Sequence, residues 1–153
     1  MESNTSPNAN QSDTQQAVCV FTRRGCPASD ATVTEFRKAG ICFSTVSAED
    51  YPATVAAAGM SEFPTVVADI ANERIVWAGF QADLTDLLSD FVSEGPIPIY
   101  GLGDEDTARH SVMTRAHVIR ELGRHGASPA EFFEECGCRP LYRGSAVLDF
   151  LGY

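Results

Sequence analysis

The order of its predicted elements places this chain in the α/β class, with a small mixed sheet flanked by helices and a small all-α element at the C-terminal end. Two observations predict this division. Short apolar, β-branched runs alternate with stretches of helical periodicity over residues 17–92, in the order βαβαββα. A stretch rich in glycine and proline over residues 93–104 then indicates a linker. Residues 17–92 and 105–153 are therefore predicted to be separate units.

The first unit opens with a strand over 17–22, where apolar and β-branched residues are typical of a buried strand. The helix that follows has apolar residues at three- and four-residue spacing, and it ends at Gly40, a residue that suits a helix C-cap. A second strand, a short Ala-rich helix, two paired strands and a Leu-rich helix complete the unit. The bounds predicted after the first strand are 29–39, 41–46, 50–58, 62–68, 74–80 and 82–91.

The second unit is predicted to contain three helices. Residues 107–123 place apolar side chains on one helical face, and residues 147–151 form a last short helix. Between them, Ser128 is a predicted N-cap, with Pro129 in the first turn and Glu131 completing a capping box. The two helices over 107–136 have the look of a helix-turn-helix. Their arginines are balanced by acidic residues, however, so DNA binding is a minor alternative.

Composition excludes several classes of function. The 153 residues have a formal net charge of −10 at pH 7, which argues against a general nucleic-acid binder because phosphate neutralisation needs clustered Lys and Arg. A run of about 18 apolar residues, as a membrane-spanning helix requires, does not occur. Residues 1–16 are polar and lack the order of a secretory signal. We therefore predict a disordered tail over 1–16 and a cytoplasmic protein with no membrane partner.

The odd number of cysteines favours reduced thiols over a disulfide framework. The five are Cys19, Cys26, Cys42, Cys136 and Cys138. Cys19 and Cys42 fall in predicted strands, where a small buried residue is the ordinary role. His110, His117 and His125 are spaced too widely for a compact zinc template, so no metal site is predicted.

Cys26 lies where a predicted strand gives way to a predicted helix. A helix start presents unpaired N–H groups and a partial positive charge, which favour a thiolate. Arg23 and Arg24 add formal charge, and Pro27 suits the first helical position. Ser29 stands where a Cys-x-x-Cys motif has its second sulfur, so it cannot close a disulfide with Cys26. Ser29 is either a hydrogen-bond donor to the thiolate or merely a helix residue, and Cys26 is either a reactive thiol or a relic.

Several motifs, taken with Cys26 and Pro27, resemble the glutaredoxin branch of the thioredoxin fold. They are Phe-Pro-Thr-Val-Val at 63–67 and Lys-Ala-Gly-Ile at 38–41. More narrowly, Trp-Ala-Gly-Phe-Gln-Ala-Asp at 77–83 is similar to the Trp-Ser-Gly-Phe-Arg-Pro-Asp motif of the NrdH-redoxins. The resemblance covers residues 17–92 and implies a thioredoxin-like fold with a one-cysteine Cys-Pro-Ala-Ser site.

The resemblance also implies roles for individual residues. Cys26 would be the attacking nucleophile, with Arg23 and Ser29 beside it. Pro64 would follow a cis peptide bond and lie next to Cys26, where the backbone pairs with an extended substrate. The tryptophan motif would support the active-site helix and face partner proteins. The substrate-binding set implied in this way is Pro27, Phe63, Pro64, Thr65, Val66, Trp77, Gly79, Phe80 and Asp83.

The implied activity is thiol-disulfide exchange on protein or low-molecular-weight disulfides. NrdH-redoxins take electrons from thioredoxin reductase and pass them to ribonucleotide reductase, so these proteins become expected partners. No prosthetic group is expected. An iron–sulfur cluster shared between subunits, as at a Cys-Gly-Phe-Ser site, is disfavoured because Pro27 and Ala28 depart from that motif. The competing interpretation is a catalytically silent redoxin-fold module that docks a partner protein.

Ser29 is the departure with the largest consequence. A two-cysteine redoxin releases its target when its second thiolate attacks the mixed disulfide, and this step is closed to the site of Cys26. An external thiol, or a sulfur elsewhere in the chain, would then complete the reaction. One hypothesis is that the Cys136-Gly137-Cys138 dithiol reaches Cys26. The alternative is a plain helix C-terminus in which Gly137 is the cap.

Overall fold

A four-stranded mixed sheet forms the N-terminal unit in the computed structural model, which describes residues 17–94 and 104–153. The predicted tail over 1–16 and most of the predicted linker, residues 95–103, lie outside the described residues. The strands are β1 (Ala17–Thr22), β2 (Ser44–Ser47), β3 (Thr65–Ile70) and β4 (Glu73–Ala78), and the helices are α1 (Pro27–Lys38), α2 (Pro52–Ala57) and α3 (Ala82–Glu94).

The strand order in this sheet is β2-β1-β3-β4. β1 and β2 are parallel because α1 carries the chain back across the sheet between them, whereas β1 with β3 and β3 with β4 are antiparallel. This connectivity is thioredoxin-like. The predicted fold class, a βαβαββα mixed sheet flanked by helices and followed by further C-terminal helices, is therefore confirmed.

One face of the sheet is buried beneath α1 and α3. The register pairs Val20 with Val66 and Val66 with Trp77, so these three residues lie side by side on that face. They share one core cluster with Phe36 of α1 and Leu88 of α3. A slip of one residue would turn this apolar row to the opposite face, so its burial fixes the register and with it the point where β1 ends.

The end of α1 confirms Gly40 as the residue that closes the helix. Gly40 has a φ of 71°, its N–H donates to Arg37 at 3.2 Å, and the Ile41 N–H donates to Phe36 at 3.1 Å. This cap carries Ile41 into the core before β2 begins. The strand predicted over 41–46 therefore starts later, and Cys42 is exposed rather than buried. The expectation of a buried structural role for Cys42 was wrong.

The C-terminal unit needs one correction, because it is not all-α. Its helices are joined by a two-stranded antiparallel sheet, which pairs 112–114 with 141–143. Strands of three residues are too short to show periodicity, and the first of them also fits the helical face predicted over 107–123. The elements are α4 (Glu105–His110), β5 (Val112–Thr114), α5 (Arg115–Arg124), α6 (Pro129–Cys136), β6 (Leu141–Arg143) and α7 (Gly144–Leu151).

Polar caps explain where the C-terminal helices begin. The predicted N-cap of α6 is confirmed, since the Ser128 hydroxyl accepts the Glu131 N–H at 3.4 Å. Thr114 caps α5 in the same way by accepting the His117 N–H at 3.3 Å. This cap ends β5 at the residue that starts α5, which is why the single predicted helix is divided.

The small sheet joins the two units through its alternating side chains. Val112 and Leu141 belong to the core cluster of the N-terminal unit, whereas Met113 and Tyr142 belong to a second cluster within the C-terminal unit. Arg143 also forms an ion pair with Asp90 of α3 at 2.8 Å. The C-terminal unit is thus packed against α3. Across the two described stretches, the helices are all too short or too polar to cross a bilayer.

Candidate active site

Cys26 lies at the start of α1, as predicted from the sequence. It is the N-cap residue, with extended backbone angles, and Pro27 occupies the first turn. Gly25, with a φ of 70°, makes the turn that brings the chain from β1 into the helix. The Cys26 carbonyl accepts the Asp30 N–H at 3.3 Å, the first bond of the helix. The thiol therefore stands among the unpaired N–H groups of a helix start.

The surroundings of the sulfur lower the pKa of the Cys26 thiol. Hydrogen bonding from the Ser29 side chain is the largest cause, followed by the backbone N–H of Ser29, and the backbone of Ala28 contributes further. Partial burial and the charge of Asp30 act in the opposite direction and are outweighed. In its protonated form the thiol donates to the Phe63 carbonyl at 3.6 Å. The protonated thiol thus has a hydrogen-bond acceptor, and the thiolate has separate hydrogen-bond donors.

Ser29 is buried and hydrogen-bonded within this site and is not merely a residue of the helix. Its side chain is 1% exposed, and its hydroxyl oxygen accepts the Arg23 N–H at 3.2 Å. That contact occupies the oxygen and leaves the hydroxyl hydrogen for the Cys26 sulfur. Of the two interpretations of Ser29, its place among the causes of the lowered pKa favours the hydrogen-bond donor.

Arg23 contributes through its backbone N–H and its guanidinium group. Its guanidinium lies over the Phe63 ring, 5.2 Å from the centroid, in a cation–π contact. Its charge is not among the causes that shift the pKa of Cys26. The predicted stabilisation of the thiolate by Arg23 therefore stays a prediction, and the structure gives Arg23 a different contact, which covers Phe63.

Glu49 is a residue of the site that the sequence did not reveal. Its carboxylate accepts the Arg24 N–H at 2.7 Å, and this bond is the main reason why the pKa of Glu49 is lowered. It thereby fixes the loop that precedes Cys26. A contact across 25 positions leaves no local pattern, although a carboxylate directly after β2 is a weak signal, because parallel strands β1 and β2 end at the same edge.

The Phe63–Pro64 peptide bond is cis, which confirms the expectation for Pro64. The Pro64 carbonyl accepts the Gly79 N–H at 2.8 Å and so ties the loop after β4 to the segment beside the cysteine. Gly79 has a φ of 81°, and a Cβ there would lie 3.1 Å from the Glu62 carboxylate. Cys26, Phe63, Pro64 and Gly79 therefore form one continuous site at one end of the sheet.

Other members of the predicted substrate-binding set differ in their exposure and contacts. Thr65 and Val66 are buried in β3 between β1 and β4, and Trp77 is buried against Phe36. Phe80 is 43% exposed and available for contact. Asp83 is ion-paired with Arg139 of the C-terminal unit. Substrate binding by Thr65, Val66 and Trp77 stays a prediction.

Cys136 and Cys138 lie on either side of Gly137, where α6 ends and the turn to β6 begins. Gly137 ends α6 with a φ of 84°, as the cap hypothesis expected, and both cysteines are free thiols. Cys138 is exposed, whereas Cys136 packs partly against the second core cluster. Burial, followed by the nearby charge of Glu135, raises the pKa of Cys136.

Comparisons with known proteins agree with the fold and say little beyond it. No protein-family model matches the chain, and no curated protein is significantly similar to it. Solved structures that match include NrdH-redoxin from Escherichia coli, with 25% identity, 54% of this chain and 99% of that chain covered, and a TM-score of 0.41. Two thioredoxins, each covering about half of this chain, also match.

The thioredoxin of Malassezia sympodialis is 18% identical and covers 48% of this chain and 71% of its own, with a TM-score of 0.41. The oxidised thioredoxin of Plasmodium falciparum is 10% identical, with 50% and 80% covered and a TM-score of 0.43. The strand order and pairing of the sheet, rather than these overlaps, give the chain a thioredoxin-like fold, and a single cysteine lies at the start of α1.

Proposed function

We propose that this chain is a thiol-disulfide oxidoreductase of the glutaredoxin or NrdH-redoxin kind, which acts through the single nucleophile Cys26. The observation that carries the proposal is the position of the partly exposed Cys26 thiol at the N-cap of α1, beside the buried Ser29 hydroxyl, and these surroundings lower its pKa. A partly exposed thiolate beside a cis proline has the reactivity and the access that attack on a disulfide requires.

The reaction begins when the Cys26 thiolate attacks one sulfur of a substrate disulfide. The substrate S–S bond breaks, its other sulfur leaves as a thiolate that takes a proton from water, and Cys26 is left in a mixed disulfide. A second thiolate then attacks the substrate sulfur of the mixed disulfide; a new disulfide forms between these two sulfurs, the bond to Cys26 breaks, and Cys26 returns to the thiolate. Because Ser29 has no sulfur, that thiol comes from outside the Cys-Pro-Ala-Ser motif.

The rim around Cys26 suits a protein substrate. Phe80 and Tyr51 are among the exposed large apolar side chains, and Tyr51 follows the turn that holds Glu49 against the Cys26 loop. Exposed aromatic residues near a reactive group are typical of contact surfaces. Ribonucleotide reductase as the target, and thioredoxin reductase or a low-molecular-weight thiol as the reductant, are proposals that come from the sequence resemblance. No prosthetic group enters this scheme.

A disulfide-reduction assay tests the proposal directly. Insulin is the substrate and a low-molecular-weight thiol is the reductant, with wild type, Cys26→Ser and Cys42→Ser chains compared at equal concentration. Cys42 is an exposed free thiol that follows the C-terminal end of α1, opposite to the end that holds Cys26, so its replacement is the matched control. We expect turnover from wild type and Cys42→Ser and none above background from Cys26→Ser. Equal rates for all three chains, or no rate for any, would favour the silent docking module.

The same site supplies a way to identify the target. A one-cysteine site should hold its target as a mixed disulfide, so affinity capture of the full chain followed by elution with a reductant recovers it. We expect the captured protein to depend on Cys26. Recovery that is unchanged in Cys26→Ser would show that binding does not involve the thiol.

A further inference from the structure

We infer that Cys138 and Cys136 form a second thiol pair that resolves the mixed disulfide formed at Cys26. The inference rests on the proposed function, because it needs that mixed disulfide as its substrate. The C-terminal unit presents two free thiols on either side of one residue, in a turn that packs against α3. The Cys26 motif lacks a second cysteine. Among the described residues, this pair comes closest to the two neighbouring thiols of a Cys-x-x-Cys motif.

The turn that carries this pair has a defined structure. Gly137 has a φ of 84° and a ψ of 158°, a conformation that is essentially limited to glycine. The Tyr142 hydroxyl donates to the Gly137 carbonyl at 2.5 Å and accepts the Arg139 N–H at 2.6 Å. One side chain therefore holds the turn on both sides of Cys138, and the spacing of the two cysteines is fixed by it.

The two thiols differ in access in the way that a relay needs. Cys138 is exposed and lies outside helix and strand, so it can attack first. Cys136 is partly buried, but it lines an open crevice of about 320 Å³ between α3 and β6, together with Leu87, Arg139 and Tyr142. Cys136 is therefore reachable from its neighbour and from a small external thiol.

A sequence of contacts places the turn toward the end of the molecule that holds Cys26. Arg139, next to Cys138, pairs with Asp83 in the first turn of α3. The loop just before α3 carries Gly79, which is hydrogen-bonded to Pro64, and the Phe63 carbonyl contacts the Cys26 sulfur. Both members of the Arg139–Asp83 pair are partly exposed, so breaking this pair costs little stability, and the approach of Cys138 to Cys26 is part of the proposal.

The proposed steps balance in atoms and electrons. The Cys138 thiolate attacks the Cys26 sulfur of the mixed disulfide, and the substrate leaves as a thiolate that takes up a proton. The Cys136 thiolate then attacks the Cys138 sulfur, forms a Cys136–Cys138 disulfide and releases the Cys26 thiolate. The substrate disulfide has gained two electrons, which the dithiol has lost. An external thiol of low molecular weight then reduces the Cys136–Cys138 disulfide.

The electrostatics agree with this direction. A thiol of low pKa is the better leaving group, and the pKa of Cys26 is lowered by Ser29. A thiolate of higher pKa is the stronger nucleophile once it is formed, and burial raises the pKa of Cys136. In the last step Cys26, the better leaving group, is therefore released, and the disulfide bond is transferred to Cys136 and Cys138.

A single-turnover experiment tests the inference. Reduced full-length chain, freed of excess thiol, is mixed with bis(2-hydroxyethyl) disulfide, quenched with acid over time and mapped by mass spectrometry. Wild type, Cys138→Ser and Cys42→Ser are compared. An intramolecular thiol acts at an effective concentration in the millimolar range, so we expect the Cys26 adduct to persist about tenfold longer or more in Cys138→Ser.

Wild type and Cys42→Ser should lose the adduct quickly and accumulate a disulfide that contains Cys138. An adduct lifetime in Cys138→Ser equal to that in Cys42→Ser would overturn this inference alone and leave the proposed function standing. Failure to form any adduct at Cys26, in all three chains, would overturn the proposed function and the inference together.

Discussion

Two cysteines in this protein lie at opposite ends of helices, and their pKa values are shifted in opposite directions. Cys26 caps the start of α1, where Ser29 is the main cause of its lowered pKa. Cys136 ends α6, where burial first and then the charge of Glu135 raise its pKa. The same residue type is thus a ready nucleophile and leaving group in one place and a weakly ionised thiol in the other.

The difference shows which neighbouring groups shift the pKa of a thiol at a helix end. At Cys26 the groups that favour the anion, Ser29 and Ala28, belong to the first turn of the same helix, so the four consecutive positions 26–29 set the chemistry. At Cys136 the environment is made by tertiary packing against the second core cluster. The first site can be recognised from a motif and the second only from coordinates.

The largest effect should come from removing the thiol at the helix start. In Cys26→Ser, alkylation by iodoacetamide at mildly acidic pH should fall by at least about a hundredfold at this position, because the thiol whose pKa is lowered by Ser29 is gone. Cys136→Ser is the matched change at the other helix end. It should leave the alkylation of Cys26 unchanged, and a fall in that rate would contradict the independence of the two sites.

A clash in the C-terminal unit tests whether the Cys26 site depends on that unit. A Cβ on Gly144 would lie 1.8 Å from the Ala108 carbonyl oxygen, so Gly144→Ala should destabilise the unit by about 3 kcal/mol or more, as overpacking does. Chemical denaturation followed by far-ultraviolet circular dichroism measures this loss.

Gly123→Ala is the control for that change. A Cβ at Gly123 in α5 meets nothing within 4 Å, so the variant should gain about 0.5–1 kcal/mol from helix propensity. In both variants the pH dependence of the alkylation rate of Cys26 should be unchanged at temperatures where the N-terminal unit is folded. A shifted profile in Gly144→Ala alone would show that the C-terminal unit shapes the thiol.

Removing the Ser29 hydroxyl should have a moderate effect. Ser29→Ala takes away the main cause of the lowered pKa of Cys26, so that pKa should rise and the alkylation profile should move to higher pH. The rate at neutral pH should fall several-fold. Thr34→Ala removes a hydroxyl from the same helix that donates instead to the Asp30 carbonyl, and it should leave the profile unchanged.

The smallest effect is expected at the turn that holds Cys138. Tyr142→Phe keeps the ring in the second core cluster and removes only the hydroxyl, at a cost of about 1 kcal/mol of stability. Hydrogen exchange over residues 137–140 should quicken in this variant, while exchange in α1 should not change. Unaltered exchange at the turn would mean that Tyr142 does not hold it.

The sequence predicted the N-terminal unit well because its signals are local. The glycine that ends α1, the proline that starts it and the β-branched strands each act over a few residues. The cis peptide before Pro64 came from family resemblance instead. Glu49, which fixes the loop before Cys26 from 25 positions away, had no comparable signal.

The C-terminal unit was predicted less well for the same reason. Residues 112–114 were assigned to a helix because three residues cannot show a period of two, and only their pairing with 141–143 makes them a strand. The ion pair between Arg139 and Asp83 was equally hidden, since it joins two predicted units. Features that depend on partners far apart in the sequence, such as this pairing and this ion pair, could be identified only in the structure.

The central claim is that Cys26 is held as a thiolate by the start of α1 and by Ser29. The most direct measurement is the ultraviolet thiolate absorbance of the wild-type chain as a function of pH, with the Cys26→Ser profile subtracted. We predict a difference titration whose midpoint lies below that of an ordinary cysteine, about 8.5. A midpoint at or above that value would contradict the account.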